Sequence, residues 1–392
     1  MSSFVYPVAS LQQSADGRLL TVCAGTHVRV IDVQQRRVLA CTSSLGTAGE
    51  KPGALARSAC AVAFDADQVR VAVACDDKFL HCYSLRSGGA LEHVGSRGFH
   101  RRLTSCAFVS THSVAVADKF GDGYLVAWDS PALGKVPSVP MQGEFSADFG
   151  SLSTITAMLP LPAALGRLAC ANRDAQVFVV RVPDVFEISA FCLGHEALVT
   201  SLAHTTPSVG GGTPILLSAG GDGSVRAWNA VSGAALADLQ LRADHKPLDI
   251  ITGVEDLLPA TQVVRALSAF DVNVYFVTQD GCVRHVALEE DGSGAVRFSA
   301  SQRVIVDKNA TCVAASPEGV WVAFDDGRVE LRATADGATL AAVDGVALPA
   351  ESANARELAL SEIDPMQLVH RFNQRSNEAQ NAGERNNESD DE

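Results

Sequence analysis

Apolar and polar residues alternate along most of the chain in short runs, each closed by glycine, aspartate or asparagine. "TVCAGTHVRVID", "VACDDKFLHCYS", "LSAGGDGSVRAWN" and "VTQDGCVRHVA" each read as a β-branched strand, a tight turn and a second strand. "ADKFGDGYLVAWD", "CANRDAQVFVVR" and "AFDDGRVELRA" repeat the same hairpin.

The turns fall at Gly25, Asp77, Asp122, Asp174, Asp222, Asp280 and Asp326, spaced by 52, 45, 52, 48, 58 and 46 residues. Six residues past each stand Ile31, Tyr83, Trp128, Val180, Trp228, Val286 and Arg332, and only the last is charged. Seven units of roughly 50 residues, each with four strands, predict an all-β chain folded as a seven-bladed β-propeller. The blades are expected over residues 1–348, with residues 349–392 as an acidic, mostly disordered tail. Within that tail Asn354–Glu362 reads as a short helix that Pro365 ends. Phe4–Val8 either opens the first blade or pairs with the last.

One unit is nearly complete: "LGHEALVTSLA", the loop "HTTPSVGGGTP", then "ILLSAGGDGSVRAWNAVSG". Gly194-His195, Ser218, Asp222 and Trp228-Asn229 resemble the WD-repeat family, with Asn229 in place of the final aspartate. The resemblance implies a buried network in which Asp222 holds His195, His195 holds Ser218, and Ser218 holds the Trp228 indole. Such a network satisfies polar atoms in the core and fixes strand register. The serine, histidine and aspartate therefore read as a folding device rather than a catalytic triad. Val199 stands where an HExxH motif would need its second histidine.

At 392 residues, with 47% hydrophobic and 19% charged residues, the chain can bury a large core. No apolar run approaches the ~20 residues of a bilayer-crossing helix. "MSSFVYPVAS" lacks the regions of a secretory signal, so an intracellular setting away from membranes is expected. Ten cysteines without a CxxC pair predict reduced, buried thiols and no metal site. A net charge of −14 argues against an independent grip on a phosphate backbone. Ten acidic residues against four arginines lie in Glu351–Glu392, so the body can still carry a local basic patch.

No P-loop, dinucleotide fingerprint or calcium loop occurs, and "SVGGGTP" opens no helix. No catalytic residue or cofactor is expected in this chain; its surfaces are expected to serve partners.

Three segments carry a narrower likeness: "RRLTSCAF…VAVADKFGDGY", "ANRDAQVFVVRVPDVFE" and "ISAFCLGHEALVTSL". They resemble the non-catalytic WD-repeat subunit of the tRNA (guanine-N7-)-methyltransferase. In that family an Asp-Arg-Asp turn precedes "F-LGH", and "ADK-GD-Y" lies one blade earlier. Here the first turn reads Asn172-Arg173-Asp174, so Asn172 replaces one carboxylate, and Gly123 stands where a β-branched residue is usual. The likeness is strong from Arg101 to Gly233 and propeller-level elsewhere. It implies a heterodimer with a Rossmann-type catalytic subunit that binds S-adenosylmethionine and methylates N7 of a guanosine in the tRNA variable loop. It also implies a nuclear setting, with tRNA reached through the complex.

Lys119 and Arg173 lie in corresponding turns of consecutive blades, and equivalent turns in a propeller are neighbours. Asp118, Lys119, Arg173 and Asp174 are therefore the expected partner-binding edge, where Arg173 can bond a carboxylate bidentately. Arg97, His100, Arg101 and Arg102 form a basic cluster that is a candidate tRNA-facing patch. The alternative is a generic WD-repeat adaptor, such as a ubiquitin-ligase substrate receptor.

Overall fold

Strands form where the apolar runs stand, and the computed structural model groups them into seven antiparallel sheets. It describes residues 8–343 apart from 15–16, 26, 43–58, 66–69, 86–90, 129–146, 209–213, 242–262 and 292–294. From the innermost strand outward, blade 1 is Val8–Gln13, Leu19–Ala24, His27–Asp32 and Arg37–Cys41. Blade 2 is Ala59–Asp65, Arg70–Cys75, Phe79–Leu85 and Leu91–Gly98. Blade 3 is Leu103–Ser110, Ser113–Asp118, Asp122–Ala127 and the short Phe149–Gly150. Blade 4 is Ile155–Pro160, Arg167–Asn172, Gln176–Arg181 and Ile188–Leu193. Blade 5 is Val199–Thr205, Ile215–Gly220, Ser224–Asn229 and Ala235–Gln240. Blade 6 is Val264–Phe270, Asn273–Thr278 and Val283–Glu290, with its outer edge split into Val296–Phe298 and Arg303–Val306. Blade 7 is Ala310–Ser316, Gly319–Phe324, Val329–Arg332 and Thr339–Ala342. Among the described residues no helix is long and apolar enough to cross a membrane.

The core is not one cluster but seven, each filling the gap between two neighbouring blades. Val28 and Val30 meet Val73 and Tyr83 between blades 1 and 2, and Leu80 meets Leu103 and Trp128 in the next gap. Ala115 meets Ile155 and Phe178, then Val177 meets Val199 and Trp228. Leu217 meets Phe276, and Tyr275 meets Val320. The last gap joins Val8, Leu11 and Leu20 to Trp321 and Leu331. Each buried side chain of this size contributes roughly 1.5–3 kcal/mol, and the last cluster joins blade 7 to blade 1. Val8–Gln13 is the innermost strand of the first blade, and among the described residues blade 7 takes its four strands from 310–342. Of the segment Phe4–Val8, with its two pairing options, only Val8 is described. Residues before Val8, the expected helix at 354–362 and the expected boundary at 348/349 lie outside the described residues.

Three polar contacts stitch the inner strands of blades 3 to 6 beside a central cavity of about 610 Å³. The hydroxyls of Thr104, Thr156 and Thr200 donate to the first inner-strand carbonyl of the following blade, Ile155, Val199 and Val264, at 2.7, 2.5 and 2.7 Å.

Hydrogen bonding corrects one repeat register. In blades 2, 5, 6 and 7 a turn aspartate accepts the amide two residues on: Asp77 from Phe79, Asp222 from Ser224, Asp280 from Cys282, Asp326 from Arg328. Blade 3 differs. Asp118, the last residue of its strand, accepts the amides of Phe120 at 2.8 Å and Asp122 at 3.2 Å. Asn172 Oδ1 does the same in blade 4 for Asp174 and Gln176, at 3.0 and 2.9 Å. Asp122 is thus the first residue of a strand, not the turn acid; Phe120 holds that place. Trp128 shifts with it: Val126 opposite Val114 matches Trp228 opposite Leu216. Trp128 packs instead against Phe108 with ring centroids 5.3 Å apart.

Candidate functional site

The complete repeat in blade 5 forms the expected network. The Trp228 indole N–H donates to Ser218 Oγ at 2.8 Å, and Ser218 Oγ lies 2.7 Å from His195 Nε2. With the serine proton directed to Nε2, His195 Nδ1–H donates to Asp222 Oδ2 at 2.9 Å. Asp222 also accepts the Glu196 amide and the Ser224 hydroxyl. Burial alone would raise this carboxyl, but His195, Glu196 and Ser224 hold it down to about 2. Ser218 is wholly buried, so no substrate reaches it. The arrangement fixes the blade.

The expected docking edge lies one and two blades earlier. Its two turns are held together by one residue. Thr154 Oγ1 donates to the Lys119 carbonyl at 2.7 Å, and the Arg173 amide donates to the Thr154 carbonyl at 3.0 Å. Lys119 and Arg173 are therefore neighbours on one rim. Gly121 makes the close approach possible: its φ is +92°, and a Cβ there would lie 2.3 Å from the Ser153 carbonyl oxygen.

The structure divides the four expected contact residues. Asp118 is 1% exposed and faces inward, where it also meets the Tyr124 hydroxyl at 3.3 Å and the Arg101 guanidinium at 3.5 Å. It shapes the edge and does not present itself there. Burial and the nearby carboxylates push the Tyr124 hydroxyl up to about 12. Arg173 and Asp174 are exposed, at 41% and 57%, and approach each other at 3.6 Å. An ion pair this exposed is weak. Because capping in blades 3 and 4 falls to Asp118 and Asn172, the turn residues Lys119-Phe120 and Arg173-Asp174 are relieved of that duty.

Two apolar residues join this edge that sequence reasoning missed. Phe120 is 57% exposed and Leu152, on the loop between the two turns, is fully exposed. Arg101 lies over the Phe120 ring at 4.4 Å and Lys119 at 5.2 Å. Phe120 had a signal, since it occupies a turn position that is aspartate in other blades. Leu152 had none.

The basic cluster does not stay together. Arg101 is ion-paired with Asp122 and belongs to the docking edge. Arg97 is half-buried with its guanidinium over Phe99 at 5.9 Å, and burial lowers its pKa. His100 is exposed, and the Arg102 carbonyl accepts the Lys119 amide at 3.0 Å. The described cysteines form no disulfide and, except Cys41, are buried. Burial pushes the Cys192 and Cys312 thiols up to about 12, which suits inert core residues.

Propeller, interblade cores and the Trp–Ser–His–Asp network together define a WD-repeat protein. Two solved structures support the fold alone: U3-55K at TM-score 0.58 and 17% identity, covering 82% of this chain and 89% of that one, and the RRP9 WD40 repeats at 0.57 and 16%, covering 82% and 88%. Residues 151–337 match the family described as the tRNA methyltransferase TRM82 WD40 domain. Two similar proteins are named tRNA (guanine-N(7)-)-methyltransferase non-catalytic subunit wuho: that of Drosophila grimshawi is 29% identical over 50% of this chain and 46% of its own length, and that of Culex quinquefasciatus is 33% identical over 46% and 42%. The corresponding subunit wdr4 of Dictyostelium discoideum is 22% identical over 67% and 55%. The chain spans about half the length of the curated relatives it matches. It is similar to the non-catalytic WD-repeat subunits of tRNA (guanine-N7-)-methyltransferase.

Proposed function

We propose that this chain is the non-catalytic subunit of a heterodimeric tRNA (guanine-N7-)-methyltransferase. The reading rests on the paired turns of blades 3 and 4, whose capping groups retreat into the strands and leave Lys119, Phe120, Arg173 and Asp174 on one rim. A Rossmann-type catalytic subunit, which carries S-adenosylmethionine, docks carboxylates on Lys119 and Arg173 and apolar side chains on Phe120 and Leu152. Arg101 supports the edge by pinning Asp118 and Asp122. The partner methylates N7 of a guanosine in the tRNA variable loop, while this chain holds it in an active shape. His100 and Arg102, beside the same rim, face the tRNA, and the complex works in the nucleus.

Co-expression with a candidate Rossmann methyltransferase tests the reading. Expected are stable co-purification and N7-guanosine methylation of tRNA that neither chain gives alone. Arg173→Glu should break the heterodimer while leaving the propeller's unfolding unchanged. Reversing one member of a desolvated charge pair costs about 2–5 kcal/mol, at least a ~30-fold loss of affinity. Co-purification of this variant at wild-type yield would refute the docking edge.

A further inference from the structure

Blade 2 carries a donor cluster that the docking edge does not use. Cys75 ends the strand Arg70–Cys75, Asp77 lies in the following turn, and His81 sits in Phe79–Leu85. The Cys75 thiol, an Asp77 carboxylate oxygen and a His81 ring nitrogen all lie within 4.8 Å of one another. Among the described residues this is the one group of three such donors. Cys75 is wholly buried, and the Asp77 and His81 side chains are 8% and 4% exposed. The absence of CxxC pairs predicts no metal site from the sequence; here the ligands cross a single hairpin as C-x-D-x3-H. The blade also lacks the loop histidine that engages Asp222 in blade 5, since residues 43–58 contain none.

A second layer orients His81. Its Nδ1 lies 2.7 Å from the buried Ser96 Oγ, which in turn lies 2.7 Å from His93 Nε2. When the serine proton goes to His93, His81 Nδ1–H donates to Ser96, and the Nε2 lone pair faces Asp77 Oδ2 at 3.2 Å. In the other tautomer Nε2–H donates to Asp77 Oδ2 directly; in this one a cation can take the place of that proton. A thiol, an imidazole and a carboxylate converging out of solvent are a zinc donor set, and the His–Ser contact is the outer partner that orients a ligating histidine.

We propose that Cys75, Asp77 and His81 bind a zinc ion, with Ser96 positioning His81 and water as the fourth ligand. Bonds of about 2.0–2.3 Å in a tetrahedron place ligand atoms roughly 3.3–3.8 Å apart, so the widest pair closes by about 1 Å through rotation of the Asp77 and Cys75 side chains. The ion would staple the second and third strands of blade 2 directly beneath its rim. The proposal is independent of the methyltransferase reading.

The test is a metal titration of the chelator-treated full chain, using cobalt(II) as a spectroscopic probe and zinc as competitor. Expected is a single equivalent of cobalt with a thiolate-to-metal charge-transfer band, displaced by zinc, and a zinc-dependent rise in the thermal midpoint. Cys75→Ala should abolish the band, and Ser96→Ala should keep it with affinity weakened roughly 10–100-fold. A folded wild-type chain without the band at saturating cobalt overturns the site and leaves a proton-bridged His81–Asp77 pair. A band that persists unchanged in Cys75→Ala also overturns it.

Discussion

Replacing Asp118 separates what the blade 3 turn needs as shape from what it needs as charge. The carboxylate accepts two turn amides, Phe120 at 2.8 Å and Asp122 at 3.2 Å, besides meeting Tyr124 and Arg101. Asp118→Ala strips both amides of their acceptor in a site that is 1% exposed. Hydrogen bonds to a charged group contribute about 1.5–3 kcal/mol each, less than additively, so a loss of about 3 kcal/mol is expected. Asp118→Asn is different, because Asn172 performs the same double acceptance in blade 4. That variant loses chiefly the attraction to Arg101, whose side chain is 41% exposed and screened, for about 1 kcal/mol or less. Urea unfolding followed by tryptophan fluorescence resolves the two, and a partner pull-down should fail with the alanine variant alone. An asparagine variant as unstable as the alanine variant would refute the claim that acceptance of the amides is what matters.

Acid should expose the blade 5 network. A folded-state pKa held down to about 2, against an ordinary 3.8, gives stability that is present above about pH 4 and lost as pH falls toward 2. The amount is on the order of 2 kcal/mol, and Asp222→Asn should flatten this part of the urea-midpoint profile; equal pH slopes in both proteins would count against it. Gly121→Ala should cost more than about 2 kcal/mol, since its Cβ meets backbone oxygens at 2.3 and 2.4 Å at positive φ. A wild-type urea midpoint would show that the turn yields. Phe120→Ser should leave unfolding within about 0.5 kcal/mol of wild type yet weaken the heterodimer about tenfold or more. Unchanged affinity, read by titration calorimetry, would place Phe120 outside the contact.

The strands and the seven-fold repeat were legible in the sequence, because alternation and turn chemistry act between residues close in the chain. The His195–Ser218–Asp222–Trp228 network, whose hydrogen-bonded members lie up to 27 residues apart, was legible only through the resemblance to the WD-repeat family. The same locality misled at blade 3. "GDGYLVAWD" and "GDGSVRAWN" share letters and spacing, yet the hydrogen bonds of Asp118 set them two residues out of register. Only the tertiary structure turned Asp118 inward, placed Arg101 on Phe120, and brought Leu152 to the rim between Lys119 and Arg173. It alone gathered Cys75, Asp77 and His81, whose side chains converge only when the hairpin closes. The sequence alone determined which residues make strands and, outside blade 3, where the chain turns, since those choices depend on neighbours along the chain. Which polar side chains face inward and which reach the rim was decided by how hairpins close and blades pack, a three-dimensional outcome that spacing along the chain does not display.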